Sequence, residues 1–177
     1  LAWVSFLSNL AHVALPTLSV LYMGYRYDWN TGAVGLLLAG VAVCSIIVQG
    51  VLVGRVVKKL GEQRTMVVGL VCGAVGFAIQ GFAPTGLVYV VGVVVMSLWG
   101  LCGPALQGLM TRHVSPSQQG LLQGATSSIT GITGMIGPLI FTQVFSYFIA
   151  PERAAPMPGA PFLLAGAMLW FALGLAA

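Results

Sequence analysis

The chain has 177 residues, of which 58% are hydrophobic and only 6% are charged, with a formal net charge of +4 and a mean hydropathy of +1.00. Soluble domains carry charge on about 25% of their residues, so this chain has too few charged side chains to cover a surface that faces water. The composition therefore excludes an ordinary soluble domain and predicts a membrane protein.

Six apolar runs follow one another along the chain, separated by short polar or proline-containing breaks. A helix needs about 20 mostly apolar residues to cross the hydrocarbon core. Only helices and closed barrels satisfy their own backbone there, and the alternation of barrel strands is missing from this sequence. The sequence predicts an all-α membrane protein, with one domain over residues 1–177 and spans at about 1–23, 32–53, 65–82, 87–106, 121–149 and 162–177.

The basic residues are distributed unevenly between the two ends of the predicted bundle. Only Arg26 and Arg153 fall at one end. Loops rich in Lys and Arg stay in the cytoplasm, so we expect the other end, and with it both chain ends, to be cytoplasmic in a cell (inner) membrane. This sidedness also explains the net charge without a nucleic-acid interface, which would need a basic patch. The residues at the cytoplasmic end are Arg55, Lys58, Lys59, Arg64 and Arg112.

Residues 50–64, called the basic segment here, hold four of the seven Lys and Arg residues. Their position between two apolar runs predicts a cytoplasmic loop. Gly50 and Gly54 are four residues apart, so on a helix they share a face and let a neighbouring backbone come close. One interpretation is an anchor that only fixes sidedness. The other is a latch, whose charge pairs hold one conformation and break in another.

A polar stripe runs along the first predicted helix. Polar groups that face lipid are costly, so the stripe should face protein or a water-filled cavity. His12 is the one ionisable side chain well inside any run, and its imidazole changes protonation near neutral pH. A proton or substrate role and a simple interhelical hydrogen bond are both open for it. Helical spacing places the stripe on one face: Ser5, Asn9, His12, Pro16 and Ser19.

The fourth predicted helix carries a bend signal, because Pro104 removes one backbone donor and clashes with the preceding turn. Ser97 and Trp99 lie just before it, where Trp99 is either a cavity wall for an aromatic or amphipathic ligand or bulk that faces lipid. Polar groups in the second and third helices are interpreted as packing or interface groups: Ser45, Gln49 and Gln80. Further bends are predicted at Pro16, Gly137 and Pro138.

Several motifs together resemble a known family. The basic segment matches a loop signature at Gly50, Gly54, Arg55, Lys58, Lys59, Gly61 and Arg64. Further matching stretches follow at Ala105–Gln107, Gln119–Gly124 and Gly137–Thr142. The chain resembles the major facilitator superfamily, in the branch of tetracycline-resistance exporters. The stronger copy of the loop signature usually carries an aspartate where this chain has Gly54, so the resemblance is to the C-terminal half.

This resemblance implies a twelve-helix fold, of which the chain supplies six helices and needs the N-terminal six-helix half as its partner in the bilayer. In this superfamily the first and fourth helices of each half line the central cavity. The substrate cavity is therefore assigned to Ser5, Asn9, His12, Ser97 and Trp99. Exporters of this branch carry an acidic residue in the third helix, where this chain has Gly73 beside Cys72.

The function predicted on these grounds is proton-coupled export of amphipathic small molecules by alternating access, with the proton-carrying acid in the other half. Two alternatives stay open: a symporter or facilitator for a small polar metabolite, and a non-transporting membrane protein that kept the fold. Because the acids Asp28, Glu62 and Glu152 all fall in predicted loops, no catalytic group, cofactor or metal site is expected. The apolar surroundings of the three cysteines predict packing rather than disulfides. The chain begins and ends inside apolar runs, so we expect a piece of a longer protein.

Overall fold

The computed structural model describes residues 1–150 and 156–176, and six apolar helices account for most of this part. The first five are long and apolar enough to cross a membrane, whereas the sixth is a shorter apolar helix of 17 residues. Glu152 and Arg153 lie outside the described residues, so their predicted place in an outer loop stays a prediction. The helices are α1 (Ala2–Tyr27), α2 (Thr31–Leu60), α3 (Glu62–Phe82), α4 (Gly86–Arg112), α5 (Pro116–Ile149) and α6 (Ala160–Ala176).

Local chemistry sets the turns between the helices. Asp28 ends α1 in the left-handed conformation, with φ of 55°. Asn30 then caps α2, because its side-chain oxygen accepts a hydrogen bond of 2.9 Å from the Ala33 amide. Thr85 caps α4 in the same way through the Val88 amide. Each turn therefore satisfies backbone donors that the helix itself leaves open.

The basic segment is largely helical, which corrects the prediction of a loop. The helix α2 continues through it to Leu60, and only Gly61, with φ of 79°, breaks the chain before α3 begins. Residues 53–60 contain no proline and place valines between the basic side chains, so nothing in them stops the helix. Glu62 is the first residue of α3, so this acid is not in a loop either.

The core forms where α3 packs against α4 and α6, with α1 closing the opposite side of α6. Two glycines let α3 and α4 come close. A Cβ added at Gly76 would lie 2.5 Å from the Cβ of Met96, and one at Gly69 would lie 2.8 Å from the Cys102 nitrogen. Only hydrogen fits at these positions, so the two backbones approach as in other tightly packed membrane helices.

The same packing explains why the third helix has no acid at Gly73. A Cβ at this residue would lie 2.8 Å from Trp99 Cγ and 2.8 Å from a methyl group of Leu169. Those two side chains fill the space into which a longer side chain would extend. Gly73 is therefore a packing position in this chain.

Two helices stay at the edge of this core. In the most apolar stretch of each helix, the buried share is only 6% for α2 and 22% for α5, against 50% for α3. Large apolar side chains such as Leu36, Ile46 and Met135 are 70% exposed or more. These two helices therefore present extensive apolar surface to whatever surrounds the chain, lipid or another bundle.

Candidate functional site

A cavity of about 440 Å³, called the polar cavity here, opens between α1, α2, α4 and α5. Each of the four helices contributes polar side chains to its lining. Polar side chains are rarely exposed to lipid, so they mark a cavity that holds water or a ligand. The polar side chains are Ser5, Ser8, Asn9, His12, Ser45, Gln49, Ser97, Gln107, Thr126 and Thr130.

All five residues assigned from the sequence to the substrate cavity line this one space. Ser5, Asn9 and His12 come from α1, and Ser97 and Trp99 come from α4. Packing thus brings together two segments that are more than 80 residues apart in the chain. Their contact with a substrate stays a prediction. The remaining stripe residues do not line the cavity: Pro16 is exposed, and Ser19 lies 3.5 Å from the hydroxyl group of Tyr89.

Asn9 connects α1 to α5 at the cavity wall. Its amide nitrogen donates a hydrogen bond of 2.8 Å to the Ser5 carbonyl group one turn earlier. Its carbonyl oxygen accepts a hydrogen bond of 3.5 Å from the Thr130 hydroxyl group. Because Thr130 also donates to the Thr126 carbonyl group, its bond to Asn9 is shared and weak. The Asn9 amide therefore remains able to bind a ligand.

Trp99 is buried, which excludes the alternative that it faces lipid. Its side chain is 7% exposed and lies between α1 and α3. The indole ring contacts the His12 imidazole, with 5.6 Å between ring centroids, and packs edge-on against Phe77. A large aromatic side chain thus forms part of the wall beside the one histidine that lines the cavity.

Besides Ser8, five polar cavity residues were not assigned to the site from the sequence. Ser45 and Gln49 line the cavity, and their interpretation as packing or interface groups rather than substrate contacts stays a prediction. The spacing of Gln107 from Ser97 was a usable signal, since positions 97, 100, 104 and 107 share one face of a helix. No such signal marks the α5 threonines, because small polar residues cover much of that helix. The five are Ser45, Gln49, Gln107, Thr126 and Thr130.

The predicted bend in α4 coincides with a change of helix type. Residues Leu98–Leu101 form a 3₁₀ turn just before Pro104, which has no amide hydrogen for the Gly100 carbonyl group. A π-helical turn in α2, Val48–Leu52, packs against it. A Cβ at Gly100 would lie 3.3 Å from Val48. Helix α4 is therefore irregular at the cavity wall. The structure describes α1 and α5 as uninterrupted α-helices across the other three positions, so those bends stay predictions: Pro16, Gly137 and Pro138.

An ion pair lies at the end of the bundle that carries the basic segment. Glu62 at the start of α3 and Arg112 at the end of α4 approach to 3.0 Å between Oε1 and Nη2. The Glu62 side chain is 14% exposed and that of Arg112 is 74% exposed. A carboxylate at a helix N-terminus and a cation at a helix C-terminus also complement the two helix dipoles. The pair fixes α3 to α4 at this end, while Arg55, Lys58, Lys59 and Arg64 are exposed.

The family model described as Major Facilitator Superfamily matches residues 1–177. Among curated proteins, the class H tetracycline resistance protein of Pasteurella multocida is 35% identical over 145 residues, which cover 82% of this chain and 36% of that protein. The class B protein of Escherichia coli is 34% identical over 81% of this chain and 36% of its own length. The mouse hippocampus abundant transcript-like protein 1 is 25% identical over 89% of this chain and 34% of its own length.

These matches confirm the resemblance that the motifs indicated and the prediction of an all-α fold. They also agree with a multi-pass membrane protein that is not an enzyme. The chain spans just over a third of the length of these relatives, a share that fits one six-helix half.

Proposed function

Because the chain belongs to the major facilitator superfamily, we propose that it forms the C-terminal six-helix half of a secondary transporter. The whole protein exports amphipathic small molecules from the cell across the inner membrane, in exchange for protons. Transporters of this kind bind substrate near the membrane midplane between two repeats and rock these repeats to alternate access. The tetracycline resistance proteins among the relatives support export as the direction.

One observation carries this proposal: the polar cavity. Its ten polar side chains lie on four helices of a chain with only 6% charged residues. Polar residues inside a membrane domain mark ligand pathways, because they are otherwise too costly to keep there. Trp99 and several apolar side chains also line the cavity, so the lining suits a molecule with both polar and apolar parts.

The N-terminal six-helix half of the same transporter is the proposed partner. It would cover the polar cavity from the side that this chain leaves open and would pack on α2 and α5, the two helices with the least burial. The basic side chains at the end of α2 support a cytoplasmic location for that end, and with it for both ends of this chain. The bilayer surrounds the remaining apolar surface.

The proton route is proposed to run mainly through the other half. Among the described residues, none that lines the polar cavity carries a carboxylate. His12 is the one ionisable group there, and its imidazole has space on the cavity side because the side chain is exposed. We assign it a contact with substrate or proton, and the acidic proton carrier to the N-terminal half.

Transport of labelled compounds by the full-length protein in membrane vesicles tests the proposal. A panel of amphipathic compounds that includes tetracycline is followed under an imposed pH gradient. We expect gradient-dependent flux of at least one compound in the outward direction, which an uncoupler abolishes. His12→Gln, which keeps a polar side chain but cannot become a cation, then separates a proton role from a hydrogen-bonding role. No gradient-dependent flux of any compound would refute the proposal.

The second candidate is a symporter or facilitator for a small polar metabolite. The neutral lining of Ser, Asn, Gln and Thr side chains favours it, since such groups bind hydroxyl and amide groups of a polar solute. The same vesicles distinguish the two functions. Inward flux of a polar solute with the gradient, and none of the amphipathic compounds, would support this candidate instead.

A further inference from the structure

A second cavity lies beside the polar one and has the opposite character. This apolar groove of about 400 Å³ runs between α2 and α4. Of the described residues that line it, Trp29 alone has a strong hydrogen-bonding group in its side chain, and the others are aliphatic residues, glycine and Cys44. A site of this composition binds hydrocarbon groups and does not select for polar groups.

The groove is a defined space, because a side-chain contact on α4 closes each of its ends. At one end Trp29 packs on the start of α4, where a Cβ at Gly86 would lie 2.5 Å from the indole ring. At the other end Val48 packs on Gly100. Between Gly86 and Gly100 the helix rises by about 20 Å, and the groove residues of α4 lie within this length: Val90, Val93 and Val94.

Two valines line both spaces. Val41 of α2 and Val93 of α4 face the polar cavity on one side and the apolar groove on the other. The partition is therefore one side chain thick. On α2, Gly40 and Cys44 turn toward the groove while Ser45 turns toward the polar cavity. Hydrogen-bonding groups and hydrocarbon surface are thus adjacent across a short aliphatic wall.

We propose that the apolar groove is a second substrate subsite, which takes the alkyl or aromatic part of an amphipathic compound whose polar part lies in the polar cavity. This inference rests on the proposed function and adds a substrate class to it: compounds with one polar head and an apolar tail long enough to pass the partition of Val41 and Val93. The adjacency of the two spaces, which share Val41 and Val93, favours this occupant over a lipid chain, which needs no neighbouring polar groups.

Gly40 allows the groove to be filled without strain. It lines the groove on α2, and a Cβ added there would meet no atom within 4 Å. Gly40→Phe therefore places a ring in the groove and leaves the polar cavity unchanged. Gly35→Phe is the matched control, because Gly35 also lies on α2, also has free space around it and lines neither cavity.

The test uses the full-length transporter in vesicles under a pH gradient, with labelled ethyltrimethylammonium and octyltrimethylammonium as probes. Their fixed charge prevents passive crossing, and their shared head can bind against the Trp99 ring. We expect Gly40→Phe to lower export of the octyl probe by about tenfold and that of the ethyl probe by less than about twofold, because only the longer chain meets the new ring. Gly35→Phe should change neither.

Equal effects of Gly40→Phe on both probes, or no effect on either, would overturn the inference. The second result would also point to lipid as the occupant of the groove. Export of other compounds but of neither probe would count against the subsite while leaving the proposed function intact. Absence of gradient-dependent flux for every compound tested would instead refute the proposed function, so the two failures are distinguishable.

Discussion

The His12 imidazole and the Trp99 indole lie 5.6 Å apart between ring centroids, with 53° between their planes. The pair joins α1 to α4 at the wall of the polar cavity and places the one histidine of that cavity against its largest aromatic ring. A histidine at this place can bind a ligand through a ring nitrogen while the indole face packs against the ligand. Phe77 of α3 packs edge-on against the Trp99 indole and restricts its orientation before any ligand binds.

Replacement of Trp99 tests its role as a wall. Trp99→Phe keeps an aromatic ring but reduces the contact area with the ligand and with His12. Aromatic contacts contribute about 0.5–1.5 kcal/mol beyond burial, so we expect the KM for an aromatic substrate to rise by a factor of about 2 to 10. The control is Trp170→Phe in α6, because this residue is 51% exposed and does not line the polar cavity. Equal KM changes in the two variants would contradict the assignment.

Replacement of Gln107 should weaken substrate binding without lowering the stability of the fold. Its Nε2 atom is buried and has no hydrogen-bond partner among the described residues, although the residue lines the polar cavity. We expect Gln107→Leu to leave the unfolding temperature unchanged or slightly higher, because it removes an unsatisfied donor. Affinity for a polar substrate should fall by a factor of about 5, the value of one hydrogen bond.

The control for this variant is Gln63→Leu, since Gln63 is exposed near the start of α3 and does not line the polar cavity. Unfolding temperature and transport KM are measured for both variants in the full-length protein. A large loss of stability in Gln107→Leu would show a structural role and contradict our prediction.

The close contact of α3 with α4 should depend on Gly76. Even Gly76→Ala places a Cβ within 2.5 Å of the Met96 Cβ, and Met96 backbone atoms lie only 2.8 Å away. We expect a destabilisation of about 1–3 kcal/mol from overpacking. The matched control is Gly24→Ala in α1, where an added Cβ meets no atom within 4 Å. Thermal unfolding in detergent should show a lower midpoint for the first variant and no decrease for the second.

The ion pair between Glu62 and Arg112 should respond unequally to loss of either partner. Glu62 is 14% exposed, so Arg112→Gln leaves a largely buried carboxylate without its cation. Glu62→Gln leaves a cation that is 74% exposed and can be solvated, at a cost below about 1 kcal/mol. We therefore expect Arg112→Gln to lower the unfolding midpoint more than Glu62→Gln does. The opposite order would indicate that Glu62 acts mainly through the N-terminus of α3.

The latch interpretation of the basic segment predicts a functional effect of the same two variants. If the pair holds one conformation, both should change the maximal transport rate in the same direction, whatever their effect on stability. The rates are measured in vesicles with equal amounts of folded protein. Unchanged rates in both variants would leave the pair as a structural link and the basic segment as an anchor.

The sequence by itself determined that this is a six-helix membrane domain and which residues of α1 share a polar face. Both follow from local patterns: the length of apolar runs and the spacing of polar residues along one helix. The polar stripe on α1 and the bend signal before Pro104 were visible for this reason. The helical basic segment is not predicted, because its cluster of charges is typical of a loop, although no helix breaker precedes Gly61.

Only the tertiary structure decided which faces meet. Nothing local to Ser45 and Gln49 distinguishes a packing face from a cavity wall, since both require polar groups turned away from lipid. The burial of Trp99 likewise depends on a remote glycine, Gly73, which leaves room for its ring. The apolar groove lies between two such contacts, that of Trp29 with Gly86 and that of Val48 with Gly100. Such contacts join residues far apart in the chain, so no periodicity within one helix encodes them.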